Sequence, residues 1–178
     1  MCFFASISCS NTINELAKKH NLFVIDDAAC TLGSHYKGKP VGGLTDFTIF
    51  SFHPRKVFTC GDGGLITTNN DELAAIIRSM KVFGSRNGKF ERWGTNQRMS
   101  NIHGAVLLGQ IRRIEEIVGA RVSIAKKYDK LLDKVDNVSI PKVESNNRSN
   151  YQTYAILLDF ELENVAEIRS KIMQSMKN

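Results

Sequence analysis

Between Asp46 and Thr68 the chain reads DFTIFSFHPRKVFTCGDGGLITT, and no other stretch limits its folding so tightly. Phe47 to Phe52 is an apolar run of strand length, closed by the polar break His53-Pro54-Arg55. Pro54 has no backbone N–H to give to a central ladder, so this strand must stop near His53. A second short strand, Leu65 to Thr68, follows the glycine turn Gly61-Asp62-Gly63-Gly64. The geometry leaves Ser51, His53 and Lys56 at the end of a strand, where open α/β sheets collect ligands. Lys56 precedes Val57-Phe58, and a partly desolvated amine is a nucleophile able to form a Schiff base with a carbonyl. The plainer alternative is a lysine that buries its methylenes and carries its charge out to solvent.

Upstream, Asn11 or Thr12 is placed to cap a short helix with Ile13, Leu16 and Ala17 on its apolar face, ending near His20-Asn21. Met1 to Ser8 reads as a strand, and Leu22 to Ile25 as a buried strand of the parallel-sheet kind. Strand, helix and strand in so short a span predict a βαβ unit. Asp26-Asp27 ends it, and adjacent strand residues point to opposite faces, so the two carboxylates do not act as a pair. Metal ligation, acid–base work, pairing with a cationic ring, or simple capping of the next turn all remain open for them. His35 to Pro40 predicts a hairpin or loop.

Downstream, Asn69 with Glu72 predicts a capping box on a helix whose apolar face is Leu73, Ile76, Ile77 and Met80. Phe83 to Arg98 breaks all periodicity. It carries Arg86, Lys89, Arg92 and Arg98 among Phe90 and Trp93, which suits either an exposed loop or a phosphate- and base-binding surface. Ser100 to about Asp133 is helical, with a kink or junction expected at Gly119. Val138 to Pro141 and Tyr151 to Asp159 read as strands. Asn164 and Glu167 predict a second capping box and a last helix.

The 178 residues carry a net charge of +6 spread among acidic side chains, which does not call for nucleic acid. The cysteines at 2, 9, 30 and 60 show no metal-binding or C-x-x-C spacing and point to a reducing, cytoplasmic setting. Nothing approaches the roughly 20 apolar residues of a membrane span. GDGG lacks the spacing of a dinucleotide fingerprint, and its glycines are expected to serve tight turns.

Three blocks, LFVIDDAACTLGSHYKGKPVGG, DFTIFSFHPRKVFTCGDGGLITTN and GTNQRMSNIHGAVLLGQIRRI, stand in the order and wording of a known family. The chain resembles the nucleotide-sugar aminotransferases of the DegT/StrS type, which use pyridoxal phosphate on the aspartate aminotransferase fold. The S-F-H-P-x-K block followed by G-D-G-G is the most specific part of the likeness. It implies an α/β fold of type I: a large domain with a mainly parallel sheet flanked by helices over residues 1–115. A bridging helix and the start of a small α+β C-terminal domain would fill 116–178.

The resemblance further implies that Lys56 holds pyridoxal phosphate as a Schiff base and then shuttles a proton. Asp27 would face the pyridine nitrogen and Ser51 the phosphate. Asn96 would reach the phosphate in a neighbouring subunit, giving a homodimer with shared active sites, and Arg98 would contact substrate. Cys30 stands where the family usually has glutamine or histidine near the cofactor's phenolic oxygen. Gln97 replaces a commoner tyrosine, and Phe83-Gly84 a common His-Gly. The implied reaction moves an amino group from glutamate or glutamine to a keto sugar nucleotide, as in polysaccharide biosynthesis. The likeness covers the middle of a usual family member, so the alternative is a truncated, non-catalytic remnant, or a fragment active only with the missing segments.

Overall fold

The computed structural model describes residues 10–159 and 164–176. The strand expected over Met1 to Ser8 lies outside them. Helix α1 (Ser10–Lys19) begins slightly ahead of the expected caps and ends where Asn21 turns left-handed at φ 52°. Of its expected apolar face only Ala17 is buried, whereas Ile13 and Leu16 are exposed.

Strand β1 (Ile25–Asp27) starts three residues later than Leu22, because the ladder is set by its partner. Val24 is held just before it, its N–H on Asp46 Oδ2 at 2.8 Å and its carbonyl on the Phe47 N–H. Both aspartates therefore lie within the strand and not after it. The hairpin β2 (His35–Tyr36) and β3 (Lys39–Pro40) turns at Lys37 and Gly38, both with positive φ, the two-residue turn that matches strand twist.

Strand β4 (Phe47–Ser51) stops ahead of Pro54 and pairs with β1 in parallel and with β5 (Gly64–Thr67) in antiparallel fashion. The described part of the sheet is thus mixed, in the order β1-β4-β5. Helix α2 (Asp71–Met80) is capped one residue later than expected. Asn70 Oδ1 accepts from the N–H groups of Glu72 and Leu73, while Asn69 donates to the Gly43 carbonyl.

The Phe83–Arg98 stretch contains a hairpin, β6 (Ser85–Arg86) and β7 (Lys89–Phe90), turning at Asn87-Gly88 with both φ positive. Gly94 rests directly on the backbone of Gly84 and the Met80 carbonyl, leaving no room for a Cβ. The helical region then divides into α3 (Asn101–Ile111) and α4 (Ile114–Leu132). The junction is Arg112-Arg113, where Arg113 leaves helical geometry at φ −109°, ψ 20° and pairs with Glu116. Gly119 lies inside α4 in open space and marks no junction, correcting the expectation placed on it.

Strand β8 (Val138–Ser139) pairs with β9 (Leu157–Leu158), so the strand expected from Tyr151 shrinks to two residues. Residues 149–152 are spent on turn contacts instead, with Tyr151 at φ 47°. Helix α5 (Val165–Ser175) starts at Asn164 without a side-chain cap, since Asn164 sits at φ −129°, ψ 8°, and the second capping box does not form.

Phe52, Phe58, Cys60, Leu107 and Val118 make the main apolar core, joining the chain after β4 to α3 and α4. Ala28, Val41 and Phe50 form a smaller cluster beside it, with Leu32 packed against both.

Candidate active site

The site grows from the end of β4. Phe50 and Phe52 are buried, so the intervening Ser51 is turned to the other face of the strand. Pro54 fits the second position of a four-residue turn, and the Lys56 N–H closes it on the His53 carbonyl at 2.9 Å. Ser51 Oγ accepts from the His53 N–H at 3.3 Å, fastening the start of the same turn. Beyond it, the Thr59 hydroxyl and the Cys60 N–H both return to the Phe52 carbonyl. Gln110 on α3 brackets Thr59, accepting from its N–H at 3.1 Å and donating to its carbonyl at 2.6 Å. Lys56 is therefore carried on a segment anchored at buried Phe52 and Phe58, while its half-buried side chain faces a shallow pocket.

That pocket is lined by Cys30, Ser51, Lys56, Phe58, Asn150 and Gln152, among others. Lys56 Nζ lies 2.9 Å from Cys30 Sγ, a free and exposed thiol. Three of the residues singled out in the sequence, Cys30, Ser51 and Lys56, thus meet in one place. Asp27 does not line the pocket but belongs to the same sheet face as Ser51. It is paired with Ile49 in the parallel ladder, and Ile49 and Ser51 share a face at spacing two. Standard strand geometry sets the Asp27 and Ser51 backbones about 8 Å apart. An acceptor at one end, a hydroxyl at the other and an amine beyond suit an aromatic ring carrying a short phosphate arm.

Asp27 is exposed, not buried, and also takes the capping role open to it, accepting from the Ala29 N–H at 3.2 Å. Its neighbour Asp26 points to the opposite, half-buried face beside buried Thr48. Burial, and secondarily the Asp27 carboxylate, hold the Asp26 carboxyl above its ordinary range. A carboxyl raised in the folded state binds its proton more tightly there than in the unfolded chain, so its contribution to stability falls as pH rises. Asp26→Asn is accordingly expected to raise the thermal midpoint at pH 7. The gain should shrink as pH falls through about 4 and vanish towards about 3, where both states hold the proton. Melting curves across that range would check it, and a gain that grew on acidification would contradict it.

Asn96 and Arg98 lie outside the pocket. Arg98 Nε donates to Asn96 Oδ1 at 2.9 Å, and the Asn96 backbone bridges to Val82. Two residues bordering Lys56 were missed in the sequence, Asn150 and Gln152. Asn150 is 1% exposed and donates through Nδ2 to the carbonyls of Cys30 and Leu32, both at 3.0 Å. Gln152 reaches both sides of Lys56, accepting from the Val57 N–H at 2.8 Å and donating to the Arg55 carbonyl at 2.7 Å. Two amides in a polar run carry no periodic signal.

Residues 8–178 match the model of the DegT/DnrJ/EryC1/StrS aminotransferase family. The GDP-perosamine synthase of Caulobacter vibrioides is 36% identical over 177 residues, which cover 97% of this chain and 47% of that protein. The UDP-2-acetamido-2-deoxy-3-oxo-D-glucuronate aminotransferase of Pseudomonas aeruginosa is 38% identical over 84% of this chain and 42% of its own length. This chain spans less than half the length of these relatives. Among solved structures, a DegT DnrJ EryC1 StrS aminotransferase from Brucella abortus superposes with TM-score 0.83 at 32% identity, covering 93% of this chain and 44% of that one. Helicobacter pylori PseC, an aminotransferase involved in the biosynthesis of pseudoaminic acid, gives TM-score 0.85 at 26% identity over 97% of this chain and 47% of its own.

Proposed function

The chain belongs to the DegT/DnrJ/EryC1/StrS aminotransferase family, and on that premise we propose that it carries the cofactor lysine of a pyridoxal-phosphate-dependent sugar aminotransferase. The observation that supports this best is the meeting of Lys56, Ser51 and Cys30 in one pocket, with Asp27 on the same sheet face as Ser51. Bound there, pyridoxal phosphate would supply an electron sink for negative charge at the substrate carbon.

The chain's own residues would do the rest. The Lys56 amine would anchor the cofactor and afterwards take up and return the proton at the substrate carbon. Asp27 would provide the anion for the ring nitrogen, and the Ser51 hydroxyl would donate to the phosphate. Cys30, whose sulfur already touches the Lys56 amine, would border the ring beside it. Asn96 would serve the phosphate of a second copy in a homodimer. Its contact with Arg98 fixes the carbonyl end of the amide and turns the NH2 group away from the guanidinium. Arg98 would meet the substrate's anionic groups.

The activity of the Pseudomonas aeruginosa relative, an aminotransferase of a 3-oxo sugar nucleotide, supports a keto sugar nucleotide as acceptor; the donor on this reading is glutamate or glutamine. On this reading residues 1–115 form part of the cofactor-binding domain, and 116–178 the bridging helix with part of a smaller one. No helix among the described residues is long and apolar enough to cross a membrane, in keeping with a cytoplasmic enzyme. A second reading, a chain that is not catalytic alone, is favoured by the exposure of Asp27 and of Ile25, Ile49 and Ile66 on the sheet.

The deciding experiment treats the purified chain with pyridoxal phosphate, reduces with borohydride and maps the modified lysine by mass spectrometry. Selective modification at Lys56 is expected, and amino donors and keto sugar nucleotides would then be tried. Modification scattered over surface lysines would favour the second reading.

A further inference from the structure

We propose that the turn Ser149–Gln152 is a strap that positions Lys56, and that Gln152 is the positioning residue that aims its amine. The inference rests on the cofactor reading above. Gln152 brackets Lys56 by taking up the N–H that follows it and the carbonyl that precedes it, at 2.8 and 2.7 Å. One planar amide thereby fixes both peptide planes adjoining the lysine.

The strap is itself held from three sides. The Gln152 N–H donates to Asn150 Oδ1 at 2.9 Å, and Asn150 Nδ2 ties the carbonyls of Cys30 and Leu32. The Asn150 N–H reaches the buried Ser34 hydroxyl at 3.0 Å. From α4, the Arg121 guanidinium donates to the carbonyls of Asn150, Tyr151 and Gln152, the shortest contact being 2.6 Å to Tyr151. Tyr151 is kept left-handed at φ 47°, a conformation that a bulky residue adopts only when its surroundings impose it. Through this turn the Cys30 loop and the Lys56 loop become one unit, and the 2.9 Å contact between Lys56 Nζ and Cys30 Sγ follows from it.

The test compares the wild-type chain with Gln152→Ala and Gln152→Glu by two readouts. The first is amide hydrogen exchange at Val57, which needs no cofactor. The second is the selectivity of reductive pyridoxal phosphate capture at Lys56. In Gln152→Ala the Val57 amide should exchange about ten-fold faster, the factor set by losing its one hydrogen bond to the Gln152 side chain, of ordinary net strength, while Thr48 and Phe50 in β4 keep their rates. Selectivity for Lys56 should fall by a similar factor. Gln152→Glu keeps the oxygen facing Val57 and should recover both readouts relative to Gln152→Ala at the same pH. That recovery should be larger at about pH 5, where a carboxyl begins to regain the proton it needs to donate to Arg55.

Unchanged exchange at Val57 in Gln152→Ala would overturn the proposal. So would acceleration spread evenly over the sheet, which would make Gln152 a support of the whole fold. Scattered capture in the wild type would instead sink the cofactor reading, with Val57 exchange still deciding the strap.

Discussion

Lys56→Ala is expected to remove essentially all site-specific pyridoxal phosphate capture, a fall of at least about a hundred-fold at Lys56 against the background on surface lysines. The size follows from chemistry. Only a primary amine held beside the ring can add to the cofactor's aldehyde, and among the described residues no other lysine lines this pocket. Lys56→Arg is the sharper comparison, since it keeps the positive charge yet should fail equally. The Lys56 side chain is half-buried and, among the described residues, its amine hydrogen-bonds only to Cys30 Sγ, so neither change should cost more than about 1 kcal/mol of stability. Wild-type melting with lost capture is thus the expected pair of results. Equal labelling of wild type and Lys56→Ala would mean that the pocket does not select its lysine.

How far these features could be read from the chain depends on whether local chemistry or a distant partner decides them. Pro54 and Lys56 were legible because a missing N–H ends a strand wherever it falls, and the turn His53–Lys56 needs no outside help. The opposite facing of Asp26 and Asp27 was legible from strand geometry alone. The start of β1 was not, since Leu22 and Phe23 look like strand and only the register against Phe47 moves the ladder to Ile25. The Asn87-Gly88 hairpin was readable from its turn dipeptide but hidden by charged flanks. Gly119 misled because glycine in a helix marks a junction only where something exploits it. The junction at Arg112-Arg113 instead accompanies the packing of Leu107 and Val118 onto Phe52. Asn150 and Gln152 were invisible because their partners lie 95 to 120 residues away.

Phe52→Ala should be the most damaging single change to the fold, costing about 3–5 kcal/mol. Phe52 is 1% exposed and packs in one cluster with Phe58, Cys60, Leu107 and Val118. Truncation would remove the ring from between the strand end and two helices that come from a different part of the chain, leaving a cavity that only partial collapse could fill. Set against a total stability of about 5–15 kcal/mol, that loss is about a fifth of the whole or more. The consequence extends to the site. The Phe52 carbonyl receives the Thr59 hydroxyl and the Cys60 N–H, and its N–H meets the Gly63 carbonyl, so the loop bearing Lys56 hangs on this residue at both ends. Denaturant unfolding should show a lower midpoint, and Lys56 selectivity should drop under conditions where most of the chain remains folded. Phe52→Leu, which refills most of the volume, should recover much of both. If Phe52→Ala lost stability but kept full selectivity, the pocket would be held by the Gln152 strap and the His53–Lys56 turn without help from the core.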